Sequence, residues 1–184
     1  MSTHSTHWYA LRTTYGREKK AYQYLTEHGV AAFYPTIKTT RLINGKRRDV
    51  DVSRLPNIFF AHCTEDELKE FVYDNVHLPY LRFYYRHFHD GNTISKTPMI
   101  VPDRQMETLR IICEAESDDV FVAPVEIHKF SKGRLVRVVK GPFAGAEGRV
   151  ARVRNNQRVG IYINGLLTIA TAYVPTAFLE IIEE

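Results

Sequence analysis

Three glycines constrain this chain more than anything else in it. Gly141, Gly145 and Gly148 stand at spacings of four and three, and Pro142 follows the first of them directly. Such glycines mark backbone positions with positive φ or close chain approach, and Gly-Pro fixes a turn. Short apolar alternations flank them, Leu135, Val136 and Val138 before and Val150 and Val153 after. The pattern predicts a strand, a tight turned loop and a second strand.

Everything from Phe130 onward carries strand signal only. The expected strands are 135–139, 147–153, 158–163, 167–173 and a short 179–182, with turns at Asn155-Asn156 and Asn164-Gly165. Short strands in so small a span predict a barrel, because closure removes exposed edges. The preceding residues alternate between strand and helix patterns. Trp8 to Thr13 reads as a first strand, and residues 17–28 as a helix stopped by Gly29. Residues 32–40 read as a strand interrupted at Pro35, and Asn44-Gly45 is a hairpin turn returning through Lys46 to Val52. Residues 57–62 form the next expected strand. Thr64 and Glu67 have capping-box spacing for a helix reaching Tyr73. The aromatic run 81–88, the turn at His89 to Asn92 and the return 93–96 make a second hairpin. Pro102 opens a helix over 103–114.

These elements predict an α+β first domain, a mainly antiparallel sheet flanked by helices, over 1–114. A linker over 115–129 joins it to a small all-β barrel over 130–184.

Charge is unevenly distributed. The formal net charge is +4, but residues 1–62 carry ten Lys/Arg against four Asp/Glu, residues 63–128 six against thirteen, and residues 129–184 nine against four. A basic face at each end suggests contact with polyanions by part of the surface, against the plainer reading of solvated charge. No run of about 18 apolar residues occurs, so neither a membrane helix nor a membrane partner is expected. The first residues lack a signal peptide's basic and apolar regions. Two cysteines, Cys63 and Cys113, give no disulfide framework, and a reducing bacterial cytoplasm is the expected compartment.

The loop Gly141-Pro142-Phe143-Ala144-Gly145 resembles the KOW motif, whose barrel is SH3-like. Trp8-Tyr9-Ala10-Leu11 followed by Gly16 and Glu18, Leu55-Pro56-Asn57-Ile58-Phe59-Phe60, and Ile100-Val101-Pro102-Asp103 occur in the order found in NusG. The resemblance spans nearly the whole chain. Asn57, where general NusG has glycine, and Ile100-Val101-Pro102 move it toward RfaH. Residues 102–107 and the long aromatic hairpin look most like the UpxY antiterminators of Bacteroides.

That resemblance implies a monomeric transcription elongation or antitermination factor with no cofactor. Its first domain would grip the clamp helices of the largest RNA polymerase subunit through an apolar concavity at Leu55, Pro56, Asn57 and Ile58. Of Phe59 and Phe60, alternation sends one inward. On this reading Ile58→Asp abolishes polymerase binding and spares the fold. Non-template DNA or nascent RNA would meet Arg17, Lys19, Lys20 and Tyr24 on the first helix, Arg47 on the first hairpin, and Arg82, Arg86 and His87 on the second. Lys38, Arg41, Lys46 and Arg48 add to the first hairpin's charge, and phosphate contacts of this kind are salt-sensitive. The barrel would hold a small-subunit ribosomal protein or Rho through Gly141, Pro142 and an exposed Phe143. Ala146 replaces a second loop aromatic. The strand pattern favours a stable barrel over the helical hairpin known in RfaH.

Catalysis is not expected. The pairs His4/His7 and His87/His89 lack companions at zinc spacings, so no metal site is expected. No phosphate-binding glycine loop and no activated cysteine is visible. A ribosome-associated KOW protein is the competing reading, disfavoured by the Trp-Tyr domain.

Overall fold

A computed structural model describes residues 5–14, 16–55, 57–91, 93–115, 117, 119–123, 127–163 and 166–183. The chain divides into two compact units, residues 1–102 and 103–184.

The first unit is built on β1 (His7–Thr13), β2 (Ala31–Phe33), β5 (Phe59–Cys63), β6 (Leu81–Phe83) and β9 (Ile100–Val101), in the order β2-β5-β1-β6 with β9 also on β1. Helices α1 (Glu18–Glu27) and α2 (Glu65–Tyr73) complete it. One sheet face gives Tyr9, Leu11, Phe59, Ala61 and Cys63 to a core shared with Ala21 and Leu25 of α1 and Leu68 and Val72 of α2. The opposite face is also withdrawn from water: Ala10 and Phe60 are fully buried, and Phe33 stacks on Phe60. Both Phe59 and Phe60 therefore face apolar surroundings, where alternation alone sent one inward. Thr64 caps α2 as its spacing predicts, accepting from the Glu67 backbone while Glu67 Oε2 accepts from the Thr64 backbone.

Two hairpins extend from this sheet. The first pairs β3 (Thr36–Ile43) with β4 (Lys46–Ser53), the second β7 (Tyr85–Asp90) with β8 (Thr93–Pro98). Asn44 and Gly45 have φ of 51° and 73°, the left-handed pair that a two-residue turn between twisted strands requires. The strand expected over 32–40 is interrupted at Tyr34-Pro35, as Pro35 implied, whereas the long strand expected over 81–88 is broken at Tyr84. The Tyr84 backbone explains the second break, because its N–H donates to Ala10 and its carbonyl accepts from Met99, outside the hairpin ladder.

The second unit is a six-stranded antiparallel sheet in the order β10-β14-β13-β12-β11-β15, comprising β10 (Phe121–Ala123), β11 (Leu135–Val138), β12 (Glu147–Val153), β13 (Asn156–Ile163), β14 (Leu167–Ala170) and β15 (Leu179–Ile181). These segments are strands, not a helical hairpin. The turn between β12 and β13 sits on Arg154 and Asn155, both with positive φ, one residue earlier than expected. The expected turn at Asn164-Gly165 lies outside the described residues. A Cβ on Gly148 would meet the Gly160 carbonyl oxygen at 2.5 Å, so close strand approach demands that glycine.

Two features of this unit differ from the expected domain plan. Helix α3 (Asp103–Glu114), expected to close the first domain, belongs to the second unit. Thr108 Oγ1 donates to the Glu147 carbonyl and accepts from the Glu147 N–H, each at 3.0 Å. The segment expected as a linker contributes β10 and the first half of the short helix α4 (His128–Ser131). Arg158, 2 % exposed, donates from Nη2 to both Asp119 carboxylate oxygens at 2.9 Å and from Nη1 to the Thr171 carbonyl. An ion pair from one guanidinium nitrogen to both carboxylate oxygens thus ties that segment to β13.

Candidate polymerase and nucleic-acid surfaces

The corner entering β5 differs from an open apolar concavity. Leu55 is fully buried and Ile58 is 6 % exposed, while Asn57 is exposed. Pro56 lies outside the described residues. Ser53 holds the corner by donating to the Leu55 carbonyl at 2.7 Å. Asn57 has φ of 59°, and its carbonyl accepts from Tyr84 Oη at 3.5 Å. Asparagine is among the few residues besides glycine that tolerate that region. Asn57 in place of glycine therefore preserves the turn's conformation. What the corner displays is Asn57; Leu55 and Ile58 support it from within.

Helix α1 shows its basic start to solvent. Arg17, Lys19 and Lys20 are exposed, although the Arg17 guanidinium already lies 4.9 Å from the Tyr80 ring centroid. Tyr24 is half-buried and stacked on His28, ring centroids 4.1 Å apart, with Phe71 and His77 close by. Asn75 Nδ2 also donates to its hydroxyl. One face of the Tyr24 ring is thus taken by the protein, which leaves less of it for the nucleic-acid contact expected there.

The second hairpin sorts its residues by face. Cross-strand register places Tyr85, His87, His89, Ile94 and Lys96 on one face, and Arg86, Phe88 and Asp90 on the other. Arg86, His87, His89 and Phe88 are exposed, and Phe88 shows nearly half its surface. Lys96 Nζ lies 4.5 Å from the Tyr85 centroid, and the Tyr85 and Tyr73 hydroxyls hydrogen-bond each other. Burial, followed by that hydrogen bond, pushes the Tyr85 phenol up to about 12. Arg82 is folded onto its own strand, its Nη1 donating to the Pro79 and Leu81 carbonyls. The sequence reading omitted Lys96 and Tyr73. Counting back from the turn would have set Lys96 opposite His87, but only the fold brings α2 alongside Tyr85.

In the second unit, Gly141 and Pro142 are exposed but Phe143 is 3 % exposed and Ala146 fully buried. Phe143, expected as an exposed docking aromatic, is a core residue here. Gly141 has φ of 85°, and a Cβ on it would press on the Phe178 ring at 3.3 Å. Beside the loop, Glu147 is ion-paired to Arg104 and Arg137, which hold its carboxyl below the usual range.

Burial pushes the Cys63 thiol up to about 12, so it is no ready nucleophile. Among the described residues no group of three or more His, Cys, Asp or Glu is placed to hold a metal, and no helix is long and apolar enough to cross a membrane.

Residues 6–110 match the family described as transcription termination factor nusG. The chain belongs to the NusG family. It is therefore a NusG-family transcription factor, and members of that family bind RNA polymerase. A solved structure titled "Domain interaction in Thermotoga maritima NusG" is 22% identical, covering 97% of this chain and 98% of that one, with a TM-score of 0.46. No curated protein matches the sequence.

Proposed function

We propose that this NusG-family chain is a specialised antitermination factor, which binds elongating RNA polymerase and promotes readthrough of particular operons. Polysaccharide biosynthesis operons, to which the UpxY antiterminators it resembles are linked, are the proposed targets. The family match over residues 6–110 carries the polymerase part of this reading. The specialised part is supported by the resemblance of Ile100-Val101-Pro102 and residues 102–107 to RfaH and UpxY, and by two exposed hairpins, the first rich in basic residues and the second in basic and aromatic ones. Asn57 adds less to it, since its conformation is the one glycine would take.

The polymerase clamp would meet the corner at Asn57, with Leu55, Pro56 and Ile58 setting its shape. Non-template DNA or nascent RNA would meet Arg17, Lys19 and Lys20 and the second hairpin, where Phe88 and the His87/Lys96 pair offer a ring and a charge to a single strand. A small-subunit ribosomal protein or Rho would dock on Gly141 and Pro142. The expected setting is the bacterial cytoplasm, with the factor acting as a monomer.

Mapping chromosome occupancy tests the reading. Enrichment at a few operons supports it. Occupancy tracking polymerase genome-wide establishes a general elongation factor instead. Co-purification with ribosomal RNA and without polymerase would favour the ribosome-associated alternative.

A further inference from the structure

The first hairpin divides its charges between two faces. Register puts Lys38 opposite Asp51, Thr40 opposite Asp49 and Leu42 opposite Arg47 on one face. That face balances its own charge, Lys38 and Arg47 against Asp49 and Asp51, and Thr40 Oγ1 donates to Asp49 Oδ1 at 2.7 Å. The other face carries Ile37 with Val52, Thr39 with Val50, Arg41 with Arg48, and Ile43 with Lys46. It holds three cations and no acid. Arg41 and Arg48 stand directly opposite each other, and like charges so placed repel. Both are exposed, as is Lys46, and among the described residues no ion pair reaches any of the three. No acid on this face offsets that repulsion, and an anion from outside would.

We propose that the Arg41/Lys46/Arg48 face of this ribbon is a docking surface for the phosphate backbone of duplex DNA. A two-stranded ribbon fits the major groove of B-form DNA, whereas the A-form RNA major groove is too deep and narrow for side-chain reading. Neither β3 nor β4 contains an aromatic residue, so the ribbon has no platform on which bases of a single strand could stack. The eight registered pairs and the tight turn hold the cations in a fixed row before binding. Arg47, singled out by sequence, lies on the opposite face.

The surface is assayed with the full chain and DNA alone, so its outcome is independent of polymerase binding and of the proposed function. Two doubly substituted proteins remove the same charge from opposite faces: Arg41→Gln with Arg48→Gln, and Lys38→Gln with Arg47→Gln. Affinity for a short duplex of random sequence is measured across a salt series. Each lost phosphate contact flattens the log–log salt slope by ~0.9, so the first protein loses ~1.8 while the second loses less than about half of that. Equal loss in both proteins would show a net-charge effect and overturn the proposal. So would an unchanged slope in the first, or no duplex binding by the unaltered chain at low salt. Stronger competition by the same sequence as single strand, as RNA duplex, or by polyglutamate would also overturn it. Circular dichroism checks that both proteins are folded, and all four positions are exposed.

Discussion

The two hairpins share an architecture and differ in chemistry. The β3–β4 ribbon has eight registered pairs, three unopposed cations on one face and no aromatic residue. The β7–β8 ribbon has six pairs and shows Phe88, His87 and His89 to solvent beside Arg86 and Lys96. A row of point charges suits the regular phosphates of a duplex, and exposed rings suit the unstacked bases of a single strand. On the proposed reading, the two ribbons would divide nucleic-acid recognition by strandedness.

That contrast requires both ribbons to be separable from folding, with the β5 corner as the reference. Ile58→Asp should show the largest effect. A carboxylate at a position only 6 % exposed costs on the order of 3 kcal/mol or more, whereas exposed ribbon-tip substitutions stay within about 0.5 kcal/mol. Denaturant melts of Ile58→Asp beside Phe88→Ala measure the gap. Comparable losses would mean that the second ribbon is structural. This replaces the expectation that Ile58→Asp spares the fold.

The second hairpin can then be tested alone. Phe88→Ala should weaken single-stranded binding roughly tenfold, within the ~1–3 kcal/mol of one stacked base, and leave duplex binding unchanged in the same titration. Removal of residues 88–93 should reduce readthrough more than polymerase co-purification. Equal loss of both in a transcription and pull-down pair would contradict the division.

The turns offer a smaller, matched test. Gly45 and Gly91 have φ of 73° and 56°, and a Cβ on either would meet open space. Gly45→Ala and Gly91→Ala should each cost about 1 kcal/mol from backbone strain alone, read as faster amide exchange in the affected hairpin only.

The smallest effect concerns the Tyr73–Tyr85 hydrogen bond. Tyr73→Phe should lower the Tyr85 phenol part-way from about 12 toward its ordinary value, with burial holding the remainder; ultraviolet phenolate titration measures it. The sign follows from linkage. An ordinary tyrosine ionises near about 10, so the neutral folded-state phenol contributes stability that is complete below that pH and is lost as pH rises through about 12. A shallower alkaline loss in Tyr73→Phe is the expected outcome.

Local rules carried much of the fold. The Thr64 capping box, the Asn44-Gly45 turn and helix α3 at 103–114 lie where sequence placed them, because each depends on neighbours a few residues away. The candidate sites were less legible. Leu55, Ile58 and Phe143 read as exposed docking residues, yet all are buried, and no short-range pattern reports what covers an apolar side chain. Tyr24 read as a nucleic-acid contact, but His28 and Phe71 pack on its ring.

By itself, the sequence determined the family, the succession of elements and the uneven charge, since these rest on residue type, spacing and turn geometry. Tertiary structure decided which faces survive. The two-residue turn at Asn44-Gly45 already sets Arg41 opposite Arg48 and Thr40 opposite Asp49, but only the fold leaves both faces exposed. Likewise Asp119 and Arg158, far apart in sequence, meet through a long-range ion pair that turns an expected linker into part of the second unit. Such pairings depend on the path of the whole chain, and local spacing carries no record of it.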